Sequence, residues 1–236
     1  MSEMKNLNDR GFLLFDFPRP PADFLASFDH LCRDRYSGGQ RYRRYSQYRL
    51  RFADGRWRFN LLPQRPLIQS KVHNPYSGDQ VRHFEPVEVD PSPYLGVGLE
   101  AGGLDTGCEW HLDLSQFRVK ARPGVEGIPV PEGPHQDGHC YVMLLIFARQ
   151  EVKGGETTLR PLDGGEPFFR AILEPGQGIL LDDRRMLHNA SPVEVIGEAG
   201  HRDIFGTSIN TWEQRRYGPE FERSILEQAQ GIEAEE

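Results

Sequence analysis

The chain has 236 residues and a formal net charge of −7, with 35 acidic against 28 basic side chains. That balance argues against nucleic-acid binding, which needs a basic face for counter-ion release, and the length fits a single all-β domain. Hydrophobic residues are only 37%, yet 14 Phe, 8 Tyr and 3 Trp bring enough apolar area for a sizeable core.

Cys32, Cys108 and Cys140 match no zinc or disulfide spacing and point to a reducing compartment. The N-terminal residues carry acidic groups and a five-residue apolar run, too short for a secretory or spanning segment. A soluble, cytoplasmic protein with no membrane or nucleic-acid partner is therefore expected.

Gly11 to Phe17 reads as a short strand, closed by Pro20-Pro21. From Ala22 to Tyr36, Phe24, Leu25, Phe28 and Leu31 recur at three- and four-residue steps, which predicts a helix packed on a sheet. RYRRYSQYRLRFADGRWRFN, with Asp54-Gly55 at its centre, predicts a solvated hairpin. Prolines 63, 66, 75, 86, 91 and 93 then mark an irregular excursion or lid over the sheet, where Gln69 and Asn74 are candidates for substrate contact.

From Glu109 to Ala121 alternation predicts a strand with Gln116 and Arg118 on one face. Strand-like runs follow in HCYVMLLIFARQ, in ETTLR, which reads as its returning strand after the turn Lys153-Gly154-Gly155, and in PFFRAILEP, GILLDD and HRDIFGTSINTW, divided by Gly-Gly and Pro-Gly turns. Short strands at about ten-residue steps, with no βαβ rhythm, predict a mainly β sandwich or jelly roll with flanking helices. The expected organisation is one domain: a core at about 109–212, an N-terminal supporting region at about 1–108 and a C-terminal acidic helix at about 218–236.

The chemistry-bearing stretch is PEGPHQDGHCYVMLLIF. His135 and Asp137 stand two apart, so in an extended segment both side chains reach one face and can share a metal ion. A third ligand is available in His188, 53 residues on, at the end of a second apolar run. Two histidines and a carboxylate on one face of an octahedral ion suit a non-haem ferrous centre with positions open to ligands. Arg202 follows 14 residues after His188, inside an otherwise apolar strand. A guanidinium there is costly without an anion, and a dicarboxylic cosubstrate spanning metal and arginine would supply one. Pairing with Asp203 or Glu198 is the structural alternative for Arg202. His139 is a rival ligand, and Asp182 and Asp183 fit a turn before Arg184 better than a metal.

HQDG, GGETTL, GILLDDRRMLHNASPV and HRDIFGTSI together resemble the 2-oxoglutarate and Fe(II)-dependent dioxygenases. With PEGPHQDG, RYRRYSQY and QSKVHN, the likeness narrows to small bacterial free amino-acid hydroxylases of the L-isoleucine hydroxylase type, over roughly residues 40 to 212. The resemblance implies a double-stranded β-helix (jelly roll, cupin-like), with His135, Asp137 and His188 as metal and catalytic ligands and Arg202 on the distal carboxylate of 2-oxoglutarate. It implies Fe(II), 2-oxoglutarate and O2 as cofactor and cosubstrates, ascorbate as an in vitro reductant, and hydroxylation of an unactivated C–H bond with release of succinate and CO2. The substrate implied is a small molecule, a free L-amino acid, with Gln116 and Arg118 as further candidates for contacting it. Rival readings are a natural-product intermediate or peptide side chain as substrate, a zinc-bound cupin-type enzyme, and a non-catalytic ligand-binding jelly roll.

Overall fold

A computed structural model describes residues 7–37 and 39–235, with side chains described up to residue 228. Its first strands are β1 (Phe12–Asp16), β2 (Cys32–Arg33), β3 (Arg41–Ala53), β4 (Arg56–Leu61), β5 (Trp110–Ala121), β6 (Tyr141–Gln150) and β7 (Val152–Gly154). They continue as β8 (Thr157–Arg160), β9 (Phe169–Ala171), β10 (Gln177–Asp182), β11 (Leu187–Ala190), β12 (Val193–Val195) and β13 (Gly200–Thr211). Helices α1 (Ala22–Ala26), α2 (Ser92–Gly102) and α3 (Pro219–Glu235) flank them. Among the described residues no helix is long and apolar enough to cross a membrane.

The main sheet runs β1-β10-β6-β13-β5-β3-β2, with β4 folded back on β3, and a small sheet runs β11-β8-β9. Every pairing is antiparallel. The two-residue side-chain period sends Met143, Leu145 and Phe147 of β6 to a face covered by Phe24, Phe28, Leu95 and Leu99. Val142 and Ile146 face the other way, toward Leu159 of β8, Ile179, Leu181 and Ile204. Phe205 shows why the helical layer stays put: its ring lies 5.7 Å from Phe24, 5.9 Å from Phe28 and 4.6 Å from Phe147. Truncating such a buried ring costs about 3–5 kcal/mol.

The result is the mainly β jelly-roll architecture that the resemblance implies, one of the two that the turn spacing allows, with four local differences. The helix expected over 22–36 ends early: Ala22–Ala26 passes into a 3-10 turn at Ser27–His30, and Leu31 is extended so that Cys32 and Arg33 pair with β3. α2 escapes a propensity reading because Gly96, Gly98 and Gly102 weaken it. Tertiary contact explains Gly98, where a Cβ would fall 2.3 Å from Met143 Sδ and 2.6 Å from Phe15.

The hairpin forms as expected, Asp54 and Gly55 both taking positive φ, but its first strand is not solvated. β3 pairs along its length with β5, and Arg41, Arg43 and Tyr45 are buried. The N-terminal part thus supplies strands to the main sheet itself through β1 and β3. Finally, ETTLR does not return beside β6; it pairs with β11 and β9, which brings His188 opposite Leu159.

Candidate active site

A cavity of about 130 Å³ lies between the inner face of the main sheet, the small sheet and the excursion. Sheet register decides what lines it. Ser208, Gly206 and Ile204 of β13 stand opposite Asp113, Ser115 and Phe117 of β5, and these opposite Gln47, Tyr45 and Arg43 of β3. Most of that grid faces the cavity, and Arg202 extends it by one more inward position. From the far side come His188 and Asn189 of β11, and from the excursion Gln69, Asn74 and Arg82.

His135, Asp137 and His188 converge there, with one donor atom from each lying within 4.8 Å of the other two. The segment 135–137 belongs to no strand; an isolated antiparallel bridge ties His135 to His188. His135 turns Nδ1 to the Gly133 carbonyl at 2.9 Å, which leaves Nε2 facing Asp137 Oδ1 at 3.3 Å. His188 Nε2 lies 4.0 Å from Asp137 Oδ2. The carboxylate is itself oriented by Gln69 Nε2 at 3.3 Å and Ser208 Oγ at 3.1 Å, while Tyr217 donates its hydroxyl to the Asp137 carbonyl at 2.5 Å.

Burial opposes charge on these groups, but the Asp137 carboxylate lifts His135 to about 9, and the neighbouring imidazoles hold Asp137 far below the usual carboxylate range. Two imidazole nitrogens and a carboxylate whose donor atoms lie within 4.8 Å of one another fit a divalent transition-metal ion with its remaining positions open.

Sequence reasoning gave Asp183 only a turn role. Its fully buried carboxylate accepts the backbone N–H groups of Asp137, Gly138 and His139 at 3.1, 2.8 and 3.1 Å, and approaches His188 Nδ1 at 3.4 Å. One side chain thus fixes the loop carrying one ligand and the ring of another, the supporting role that buried carboxylates play behind metal ligands. The loop turns at Gly138, whose φ of +80° suits glycine and whose missing Cβ leaves room for His73. Asp182 pairs with Arg184 at 2.9 Å, and His139 is held through Nδ1 by Asn210 at 2.7 Å, outside the converging set.

Arg202 is 1% exposed, and its Nε and Nη2 have no hydrogen-bond partner among the described residues. Burial, and then the nearby charge of Arg149, disfavours its charged form. Asp203, the neighbour that could have neutralised it, points to the opposite face and is gripped by Arg118 at 2.6 and 2.8 Å. A buried, unpartnered guanidinium lining the same cavity as the three donors fits the far carboxylate of a keto diacid.

The four candidates for substrate contact divide evenly. Gln69 and Asn74 line the cavity, joined to each other at 3.1 Å. Gln116 and Arg118 do share a face, but it is the other one: Gln116 donates to Ser27 Oγ at 2.7 Å, and Arg118 is consumed by Asp203 and Asp29. Their alternates Asp113, Ser115 and Phe117 are the cavity residues. Alternation alone groups positions without saying which group looks inward.

The model of the 2OG-Fe dioxygenase family matches residues 25–208, and the chain belongs to that family. It is accordingly a 2-oxoglutarate-dependent dioxygenase, with Fe(II), 2-oxoglutarate and O2 as its cofactor and cosubstrates. A bsmA homolog from Methylobium petroleophilum PM1 is 25% identical, with a TM-score of 0.74 over 89% of this chain and 92% of that one. IDO from Bacillus thuringiensis is 18% identical, TM-score 0.68, over 89% and 98%. The Fe(II)/(alpha)ketoglutarate-dependent dioxygenase TqaL is 16% identical, TM-score 0.58, over 89% and 85%. The last two likenesses concern the fold. No curated protein matches the chain in sequence.

Proposed function

We propose that this dioxygenase hydroxylates an unactivated C–H bond of a free L-amino acid, with His135, Asp137 and His188 holding the iron and Arg202 the distal carboxylate of 2-oxoglutarate. The observation that carries the assignment of roles is the convergence of the three donors in one cavity with an unpartnered, buried arginine. Ferrous iron with 2-oxoglutarate and O2 supplies the oxidising chemistry, and succinate and CO2 leave.

The chain's own residues do the rest. Asp183, Gln69 and Ser208 hold the ligand geometry, while Val142, Leu144, Ile204 and Phe117 present apolar walls that exclude water from the reacting carbon. A free amino acid is favoured by the cavity's mixed lining of arginines with Glu132 and Asp113, which suits a small zwitterion.

The test is a succinate-release screen across the free L-amino acids with 2-oxoglutarate, Fe(II) and ascorbate, with mass spectrometry for a gain of one oxygen. Turnover of at least one amino acid, coupled to oxygen gain, is expected. Turnover of none, with succinate released for a peptide or natural-product scaffold, would contradict the substrate reading.

A further inference from the structure

The end of the cavity formed by β3 and the excursion sets three guanidinium groups against two carboxylates, Asp34 and the cavity-lining Glu132. Arg41, Arg43 and Arg82 all line it and all are buried. The carboxylate nearest to them is Asp34, and Arg41 takes it through Nε at 3.0 Å while its Nη1 donates to the Pro129 carbonyl at 3.1 Å. Arg43 Nε stands 3.7 Å from the same oxygen and has no hydrogen-bond partner among the described residues. Arg82, 1% exposed, meets only neutral oxygens, Ser77 Oγ at 3.1 Å and Gln69 Oε1 at 2.6 Å, and its Nε is also unpartnered.

Asp34 is shared between Arg41 and Arg43, and Glu132 also faces Asn74 and His135, so the three buried guanidinium groups outnumber their carboxylates; a protein sustains such an excess where a ligand brings an anion. The placement is also rigid. Phe84 and Phe117 lie 5.3 and 5.6 Å from the Arg43 guanidinium carbon, and Arg82 is anchored at both terminal nitrogens. Arg202 does not belong to this group. On the sheet it stands in the row of Val119 and Arg41, so the β5 strand separates it from β3. Gln69 connects the cluster to the metal centre instead, accepting from Arg82 through Oε1 and donating to Asp137 through Nε2 at 3.3 Å.

We propose that Arg43 and Arg82 form a second anion subsite, distinct from Arg202, that takes the carboxylate of the organic substrate. The inference rests on the reading of the cavity as the substrate chamber, and it makes a free carboxylate a requirement for binding. Gln69 then couples the occupied subsite to the orientation of the Asp137 carboxylate.

The test uses the enzyme loaded anaerobically with Fe(II) and 2-oxoglutarate, whose visible charge-transfer band reports on the metal. Aliphatic L-amino acids are titrated in, then the matching amides, then the N-acetylated acids. The expected result is that an acid perturbs the band and its amide binds about 10- to 100-fold more weakly, the loss typical of a charge-assisted contact. Arg43→Gln and Arg82→Gln should weaken the acid by the same range, and Arg43→Gln, at a side chain that makes no hydrogen bond to Gln69, should do so with the apparent affinity for 2-oxoglutarate unchanged. Acid and amide binding alike, or Arg43→Gln binding the acid as the wild type does, would overturn the subsite. The comparison of acid with amide on the wild type stands even if Arg82→Gln does not fold. A response to the N-acetylated acids alone supports the subsite and counts against a free amino group on the substrate. No response to either kind of acid overturns the subsite.

Discussion

His135 and His188 are hydrogen-bonded to each other through their backbones in both directions, His135 N–H to the His188 carbonyl at 3.1 Å and His188 N–H to the His135 carbonyl at 2.9 Å. In an antiparallel bridge of this kind the two side chains leave on the same side, and the rings lie 4.3 Å apart. The separation of 53 residues is thereby closed by two main-chain bonds, so the backbone itself holds the two histidine ligands side by side.

Asp183 supports both halves of that bridge without being a ligand. Asp183→Asn keeps the shape but loses the charged acceptor for the N–H groups of residues 137–139. Iron affinity should fall about 10- to 100-fold, as for lost partners of metal ligands elsewhere. Titration of Fe(II) against activity measures this, and an unchanged affinity would remove Asp183 from the supporting role.

Arg202 should be a liability in the ligand-free protein. Arg202→Met replaces an unpartnered buried cation with an apolar chain of similar length. We expect the ligand-free variant to be more stable by about 1–4 kcal/mol, the range seen when buried charges give way to apolar groups. Its affinity for 2-oxoglutarate should collapse. Denaturant melts with and without 2-oxoglutarate distinguish the two effects, and a destabilised variant with normal 2-oxoglutarate affinity would contradict the assignment.

Arg118 carries the opposite expectation. It binds Asp203 through Nε and Nη2 and Asp29 through Nη1, on the face turned away from the cavity. Arg118→Ala leaves Asp203 buried and uncompensated and should cost about 3–5 kcal/mol of stability. In the folded fraction the KM for substrate should not change. A selective rise in KM at unchanged stability would return Arg118 to the substrate site.

Acid sensitivity should come in part from His111. It is 1% exposed, its Nε2 has no partner, and burial, aided by Arg216 and His139, holds its pKa below 6.5 against the pull of Asp113. Because the unfolded chain takes up this proton more readily, the contribution of neutral His111 is complete above about pH 6.5 and declines as pH falls through the depressed value. His111→Gln should therefore lose less stability than the wild type between neutral pH and the start of carboxylate titration. Melting temperatures across that window check it, and parallel curves would clear His111.

Much of this was legible beforehand, and the reasons differ by residue. The ligands announce themselves because His-x-Asp, a later strand-end histidine and an arginine in an apolar strand each carry a cost or a chemistry that few alternatives explain. Gln69 and Asn74 stood out as polar groups clustered in a long loop. Asp183 did not, since a carboxylate in a turn looks alike whether it caps a local N–H or anchors a distant loop, and only the pairing of β10 with β6 brings it beneath residues 137–139. Alternation does not tell which face of β5 looks inward, because a strand buried on both sides has no polar face to mark the outside: Gln116 is as buried as Leu114. Arg41 and Arg43 were hidden for the same reason, charged residues on what looked like a solvated hairpin becoming the wall of the cavity once β3 pairs with β5.

The account stands most directly on anaerobic titration of the purified protein with Fe(II) and 2-oxoglutarate. It predicts a visible charge-transfer band that saturates with one iron and one 2-oxoglutarate per chain, vanishes in His135→Ala, Asp137→Ala and His188→Ala, and needs much higher 2-oxoglutarate in Arg202→Met. A wild-type protein that binds iron without developing the band, or a band that survives loss of Asp137, would contradict it.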